Sequence, residues 1–251
     1  MIGRRSLWQT GRMEIPRSVL DVVGGDAVWS ADHEGLSGGV RRTTGAAGTF
    51  FVKRGPDAVR EHERLRWLEG RVAVPAVAAF ADDWLVLADV GAPSLAGVAP
   101  EAAGAAMGRL LRALHALPVE ECPFDAGSDS AVAVATAMVE TGRVDPDDFD
   151  DDHAGCSPAD LLDRLVKLKP ADADPVVAHG DFTPANVLLR PDGTCVLIDV
   201  SRLGRADRHR DLAIAERELP GPAFAAFLAE YGPTSIDGDR LYWYRLLDEL
   251  L

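Results

Sequence analysis

His179-Gly180-Asp181-Phe182-Thr183-Pro184-Ala185-Asn186, followed by the strand-like Cys195-Val196-Leu197-Ile198-Asp199, decides how this chain is read. The order is acid, loop Asn, short strand, apolar strand, acid. That spacing suits a magnesium-bound phosphate held beside a hydroxyl that will be phosphorylated. Phosphoryl transfer asks little covalent chemistry of a protein. It needs immobilised phosphates, neutralised charge and an acceptor aimed in line. Asp181, in a tight loop after a Gly, suits the aiming: its carboxylate can accept the hydroxyl's hydrogen bond and later its proton. Asn186 offers magnesium a neutral amide oxygen, and Asp199 an anionic one, both hard ligands of the kind this ion prefers. His179 reads as a brace for the loop, not as a catalytic group. Each element alone is as readily a chance tripeptide or a strand-end acid. Their combination, with the run Arg202 to Arg208 and Asp211 behind it, carries the reading.

Working outward, the front half should hold the nucleotide. Lys53 ends the β-rich run Thr49-Phe50-Phe51-Val52-Lys53 and can pair with phosphates. In the helix that follows, Ala58, Glu61, Leu65 and Leu68 share one face, whereas Glu63 lies opposite. An acid on an apolar stripe needs a cationic partner, and Lys53 is the natural one. Ser37 and Gly38, in the loop Gly35-Leu36-Ser37-Gly38-Gly39, are placed over the phosphates through backbone N–H groups and a hydroxyl, although hairpin turns use the same residues. Ala88 and Val90 offer backbone groups to an adenine edge, and Ile198 is assigned to the same nucleotide site. No G-x-x-x-x-G-K-[ST] occurs, which removes the P-loop class.

Local patterning then places these motifs. Val28 to Asp32, Val40 to Thr44 and Thr49 to Arg54 read as an antiparallel meander, Asp57 to Glu69 as a helix closed by Gly70, and Val72 to Phe80 and Trp84 to Asp89 as further strands. After Val90-Gly91-Ala92-Pro93-Ser94 the pattern turns helical. Helices are expected at Glu101 to Leu117, Ser130 to Thr141, Pro158 to Leu168, Asp207 to Leu219, Pro222 to Tyr231 and Asp237 to Leu251. A hairpin joins Val187 to Leu189 with Cys195 to Val200. The expected domains are therefore a nucleotide-binding lobe over 1–90, with 1–25 as lead-in, and a helical lobe over 91–251 carrying the catalytic loop and substrate site, with a cleft between them.

Composition narrows the partners. The formal net charge of −14 argues against nucleic acid, whose binding depends on Lys and Arg releasing counterions from phosphates. No uninterrupted apolar run reaches membrane-spanning length, and Met1 to Trp8 has the charges of a signal peptide with no apolar segment behind them. Cys122, Cys156 and Cys195 form no metal or redox pattern and read as reduced thiols of a cytoplasmic protein. Oligomeric state stays open, a monomer being the default. The acids cluster: Asp145-Pro146-Asp147-Asp148-Phe149-Asp150-Asp151-Asp152, and again Asp248, Glu249 and the carboxylate of Leu251. Such density is tolerated by solvation or by a polycation filling the space.

HGDFTPANVLL, IDVSRLGRADRHRDLA, LHALPVEECPFD, GRVDPDDFDDDH and YRLLDELL together resemble the aminoglycoside phosphotransferases, specifically the 3'-hydroxyl kinases of kanamycin and neomycin. The likeness runs in order from about Trp29 to the last residue. It implies an α+β, protein-kinase-like two-lobed fold, with a β-rich N-lobe carrying one key helix and a largely helical C-lobe. It also implies ATP and Mg²⁺. By motif position Lys53 and Glu61 correspond to the phosphate-binding Lys and its helix Glu, Asp181 to the catalytic base, and Asn186 and Asp199 to the magnesium ligands. Drug contacts fall by the same resemblance on Asp148, Asp150, Asp151, Arg202, Arg217, Glu218, Asp248, Glu249 and Leu251. Ser201 stands where the family usually has Gly, Pro184-Ala185 where relatives often have Pro directly before the Asn, and Leu251 where a terminal Phe is common. The expected function is phosphorylation of an aminoglycoside on its 3'-hydroxyl, conferring resistance. The rivals are a kinase of another small alcohol, of macrolide, choline or homoserine type, and a non-catalytic kinase-like binding module.

Overall fold

The computed structural model describes residues 15–30, 40–171 and 173–251. The chain divides into two compact units, Met1–Pro93 with Leu188–Ser201, and Ser94–Val187 with Arg202–Leu251.

In the first unit Val28–Ser30 (β1), Val40–Gly45 (β2), Gly48–Arg54 (β3), Val77–Ala81 (β4) and Trp84–Ala88 (β5) form one antiparallel sheet in the order β1-β2-β3-β5-β4. The expected three-strand meander is present, β5 pairs with β3, and β4 lies at the edge. β4 also starts later than the expected Val72. Pro75 has no N–H for a ladder, and the Val72 N–H turns back to the Leu68 carbonyl at 3.2 Å. Within the lead-in lies a short helix, Arg17–Val23 (α1), that buries Val19 and Val23 against Val52, Trp84 and Val86. Pro56–Leu68 (α2) begins with Pro at its first turn, where the missing N–H costs nothing. It closes on Glu69, with Gly70 at φ +76 supplying the left-handed residue beyond it. The loop holding Ser37 and Gly38 lies outside the described residues.

The second unit begins with Pro100–His115 (α3), Ser128–Glu140 (α4) and Pro158–Lys167 (α5). Ser157 caps α5 reciprocally: its hydroxyl accepts the Asp160 N–H, and the Asp160 carboxylate accepts the Ser157 N–H. Pro175–Ala178 (β6) and Gly204–Asp207 (β9) follow; between them in the chain runs the hairpin Val187–Leu189 (β7) and Cys195–Leu197 (β8), which from Leu188 on belongs to the first unit. β6 and β9 pair antiparallel, which the sequence did not announce, and α6 (His209–Glu218) accordingly starts beyond Asp207. The hairpin's second strand ends at Leu197, short of Val200, because Asp199 adopts a left-handed φ of +56 and Val200–Arg202 form a single 3-10 turn. The Leu189 N–H donates to the Pro93 carbonyl and the Leu197 N–H to the Ala73 carbonyl, bonds internal to the first unit. Pro222–Tyr231 (α7) and Gly238–Asp248 (α8) complete the chain.

α3 and α7 approach at backbone distance. A Cβ on Gly104 would stand 2.2 Å from the Ala223 carbonyl oxygen, and one on Gly108 2.3 Å from that of Phe227. Met107, Leu111, Leu114, Phe227 and Trp243 are among the fully buried core side chains.

A buried carboxylate staples three elements. Asp207 accepts from the His209 N–H and Nδ1, from Arg240 Nη1 at 2.7 Å and from the Ala173 N–H. His209 Nε2 in turn accepts the Asp237 N–H at 3.1 Å, so this imidazole is neutral with its proton on Nδ1. Burial alone would raise the Asp207 carboxyl, but the hydrogen bonds outweigh it and hold the group at about 2 against an ordinary 3.8. A depressed folded-state value means the stabilisation is complete above 3.8 and disappears as pH falls through about 2. Asp207→Asn should therefore be less stable at neutral pH and flatter across that acid window. Denaturant titrations of both proteins over the same pH range check this; parallel acid limbs would contradict it.

Candidate active site

β6 delivers His179, whose side chain is fully buried, and Gly180 turns the chain at φ +84. A Cβ at Gly180 would stand 2.8 Å from the Arg202 carbonyl oxygen, so the turn needs glycine on both counts. The Asp181 N–H donates to His179 Nδ1 at 3.2 Å, which puts the imidazole proton on Nε2. Asn186 donates from Nδ2 to the Asp181 carbonyl oxygen at 2.8 Å and to its Oδ2 at 2.9 Å. These two bonds orient the amide and leave its Oδ1 as the outward oxygen.

Behind this loop lies a network that sequence reasoning noticed only at Asp211. The fully buried Asp211 accepts the His179 N–H at 2.7 Å and the Gly180 N–H at 2.8 Å. It also meets His115 Nε2 at 2.9 Å; His115 Nδ1 lies 2.8 Å from the Tyr231 hydroxyl, which accepts from Arg208 Nη1 at 3.0 Å. Only one proton order satisfies every partner. Arg208 donates to the Tyr231 oxygen, Tyr231 donates to Nδ1 of a neutral His115, and Nε2–H donates to Asp211. Burial would push the Asp211 carboxyl up, but the hydrogen bonds it accepts from His115 and from the Gly180 N–H hold it below its ordinary value. Arg210, also buried, donates to the Ala126 carbonyl at 2.9 Å, and burial lowers its guanidinium.

In the first unit the structure brings Lys53, Glu61 and Asp199 together. Lys53 Nζ lies 2.9 and 2.6 Å from the two Glu61 oxygens and also bonds Asp199 Oδ1. The Glu61 side chain is only 3% exposed, as its place on the buried face of α2 requires, whereas Asp199 is 45% exposed. Burial would push the Lys53 ammonium down; Glu61 and Asp199 outweigh it and hold it above its ordinary value. The left-handed backbone at Asp199 is uncommon for a non-glycine residue, and such outliers gather at functional sites. Ser201 needs no such conformation: among the described residues, only Asp82 and Asp199 are non-glycine with positive φ. The Ala88 N–H donates to the Ala76 carbonyl and the Asp89 N–H to that of Thr49. Val90 and Ile198 are half-buried.

Asn186 Oδ1 and the second oxygen of Asp199 are hard donors, one neutral and one anionic. Each, taken by itself, is of the donor type that suits magnesium, an ion that keeps several waters. Among the described residues no group of three His, Cys, Asp or Glu side chains forms a closed metal site.

The acids assigned to the substrate meet in the second unit, largely paired already. Arg217 Nη1 lies 2.8 Å from Asp248 Oδ2 and 3.9 Å from Asp150 Oδ2, its Nε 3.1 Å from Glu218, and Arg202 Nη1 3.6 Å from Asp248. Burial works against the charge on Arg217, but Asp248 and Glu218 hold the guanidinium above its ordinary value. Glu249 Oε1 lies 2.8 Å from His153 Nδ1, a partner the sequence reading had not named. Asp148 and Asp151 face solvent on either side of Asp150. Leu251 is half-buried, its N–H donating to the Asp248 carbonyl at 3.2 Å.

This arrangement has known counterparts. Aminoglycoside 3'-phosphotransferase of Streptomyces fradiae is 43% identical over 253 residues, covering 88% of this chain and 94% of that protein. The crystal structure of aminoglycoside-3'-phosphotransferase of type VIII superposes with a TM-score of 0.84 at 36% identity, covering 94% of this chain and all of that one. Aminoglycoside phosphotransferase APH(3'')-Id of Streptomyces rimosus, solved with ADP and streptomycin, gives 0.77 at 29% identity over 93% of this chain and 96% of its own. The α+β, protein-kinase-like architecture is thus shared. The profile of the phosphotransferase enzyme family matches residues 28–244, from β1 through the catalytic loop to α8, and the chain belongs to that family.

Proposed function

We propose that the protein is an ATP- and Mg²⁺-dependent aminoglycoside 3'-O-phosphotransferase that confers resistance. The observation that carries this is the ordered segment from His179 to Asn186, with an aimed carboxylate and an oriented amide, together with the Lys53–Glu61–Asp199 cluster. Lys53, kept charged by Glu61, pairs with nucleotide phosphates. Asn186 and Asp199 would supply hard oxygen ligands for magnesium, which would neutralise charge on the phosphate oxygens. Asp181 accepts a hydrogen bond from the acceptor hydroxyl, aligns its oxygen for in-line attack and takes its proton as transfer proceeds. Ammonium groups of the drug settle among the carboxylates around Asp150. Similarity to the Streptomyces fradiae enzyme supports the aminoglycoside acceptor and the 3' position. On this reading the enzyme works as a monomer in the cytoplasm, where ATP is available, its substrate a small polycation and not a nucleic acid or a membrane. The three cysteines are free thiols, in keeping with that compartment.

Purified protein should release ADP when kanamycin or neomycin is added, and far less without drug. Mass spectrometry should show one added phosphate, and phosphorus–proton NMR should place it on the 3'-oxygen. Phosphate on the 3''-oxygen would reassign the regiochemistry toward the streptomycin-bound relative. Turnover of choline or a macrolide in place of every aminoglycoside would overturn the proposal.

A further inference from the structure

The two oxygens of Asp211 are not used alike. Oδ1 takes the Gly180 N–H at 2.8 Å, whereas Oδ2 takes both the His179 N–H at 2.7 Å and His115 Nε2 at 2.9 Å. The backbone bonds join the carboxylate to the catalytic loop, and the imidazole ties it to the end of α3. That tie works in one ring orientation, because a flip would put a carbon where Nε2–H now donates. Tyr231 fixes the orientation. Its hydroxyl stands 2.8 Å from His115 Nδ1 and accepts from Arg208 Nη1 at 3.0 Å, while Arg208 Nη2 is held by Asp174 at 2.9 Å. A guanidinium only donates, so the phenol proton points at Nδ1. Burial holds the Tyr231 phenol above its ordinary value, which keeps that proton in place. The side chains of His115 and Asp211 are 4% and 0% exposed, so bulk water does not compete for their bond. The Tyr231 ring is itself set, stacking on Phe227 and meeting the imidazole edge-on. Gly108, on the same face of α3 as His115, lets α7 come this close: a Cβ there would stand 3.0 Å from the Tyr231 nitrogen.

We propose that His115 and Tyr231 are positioning residues for phosphoryl transfer: Tyr231 orients the imidazole, and the imidazole fixes the carboxylate from which the turn into Asp181 hangs. This rests on the reading of Asp181 as the carboxylate that aims the acceptor hydroxyl. Both side chains are buried and act on the reaction through Asp211, which carries their effect to the His179 and Gly180 N–H groups. A misplacement of about 1 Å at the reacting centre can cost roughly 10²-fold in rate. The two surviving backbone bonds, by contrast, keep the loop folded when the imidazole is lost. The rate of the transfer step therefore registers this bond more strongly than stability does.

The test compares wild type with His115→Leu, His115→Asn, His115→Gln, Tyr231→Phe and the Leu/Phe double variant, each assayed well below its melting transition. Loss of one hydrogen bond to a charged group should slow single-turnover transfer to kanamycin about tenfold in His115→Leu, with the KM values for kanamycin and ATP unchanged. His115→Gln places an amide N–H near the Nε2 position and should recover most of the rate. His115→Asn places it near Nδ1, short of Asp211, and should not. Tyr231→Phe should lower the rate in wild type and add nothing in the His115→Leu background, since both act through one bond. Equal rates for Gln and Asn, an additive double variant or a loss expressed in either KM would overturn the proposal. So would a loss that follows melting temperature across the whole series, which would leave the network as a fold staple alone. An independent readout needs neither nucleotide nor drug: nitrogen NMR of the His115 ring should show the proton on Nε2 and a bare Nδ1. A proton on Nδ1 would sink the orienting role of Tyr231. A wild type that turns over no aminoglycoside, with that ring signature intact, would instead count against the functional reading itself.

Discussion

Asp181→Ala is expected to lower phosphate transfer by roughly 10²- to 10⁴-fold, the range for loss of a positioned general base, with the fold intact. The structure says why the two effects separate. The Asp181 carboxylate holds one side-chain partner, Asn186 Nδ2 at 2.9 Å, and that same nitrogen keeps its bond to the Asp181 carbonyl oxygen at 2.8 Å. Truncation therefore leaves the amide oriented and no buried donor orphaned. Single-turnover kinetics beside a thermal melt would register this. Near-normal turnover in the purified variant removes Asp181 from the mechanism.

Asp211→Ala should behave in the opposite sense. That carboxylate is fully buried and serves the His179 N–H, the Gly180 N–H and His115 Nε2. Removing it leaves three buried donors without an acceptor, a loss of about 3–5 kcal/mol by analogy with breaking a buried pair. Activity should fall too, because the two backbone donors belong to His179 and Gly180, the residues that lead into Asp181. Urea unfolding gives the measurement; a shift in midpoint comparable to that of a surface substitution would show that the network is redundant. His115→Phe should cost less, since the two backbone bonds to Asp211 survive it.

How much of this could be read in the sequence depends on the distance between partners. The segment from His179 to Asn186 was legible because acid, glycine and amide sit within one turn of chain. The Lys53–Glu61 pair was legible because eight residues of strand-to-helix connection fix a helical face, and an acid on that face must find a cation. The network behind the loop was not. His115 is separated from Asp211 by 96 positions and from Tyr231 by 116, and no local periodicity links them. His153 and Glu249 are likewise 96 apart, so Glu249 looked like a free acid near the end of α8. The β6–β9 pair escaped for a different reason: four-residue strands, one opening on Pro175, carry too little alternation to distinguish them from loop. At β4 the apolar run was real, but Pro75 decided where the ladder could begin.

The left-handed backbone at Asp199 limits which residues evolution can try there. On the proposed magnesium role, the position requires an oxygen that can reach a hard cation and a main chain that tolerates φ +56. Glu carries the same charge, but it lacks the short side chain that lets Asp and Asn adopt this handedness. Gly tolerates the backbone and offers no ligand. Asn alone meets both demands without the charge, so it is the only neighbour from which function could be regained by restoring one carboxylate, with no backbone to rebuild. A lineage that drifts to any other residue at 199 must repair chemistry and conformation together.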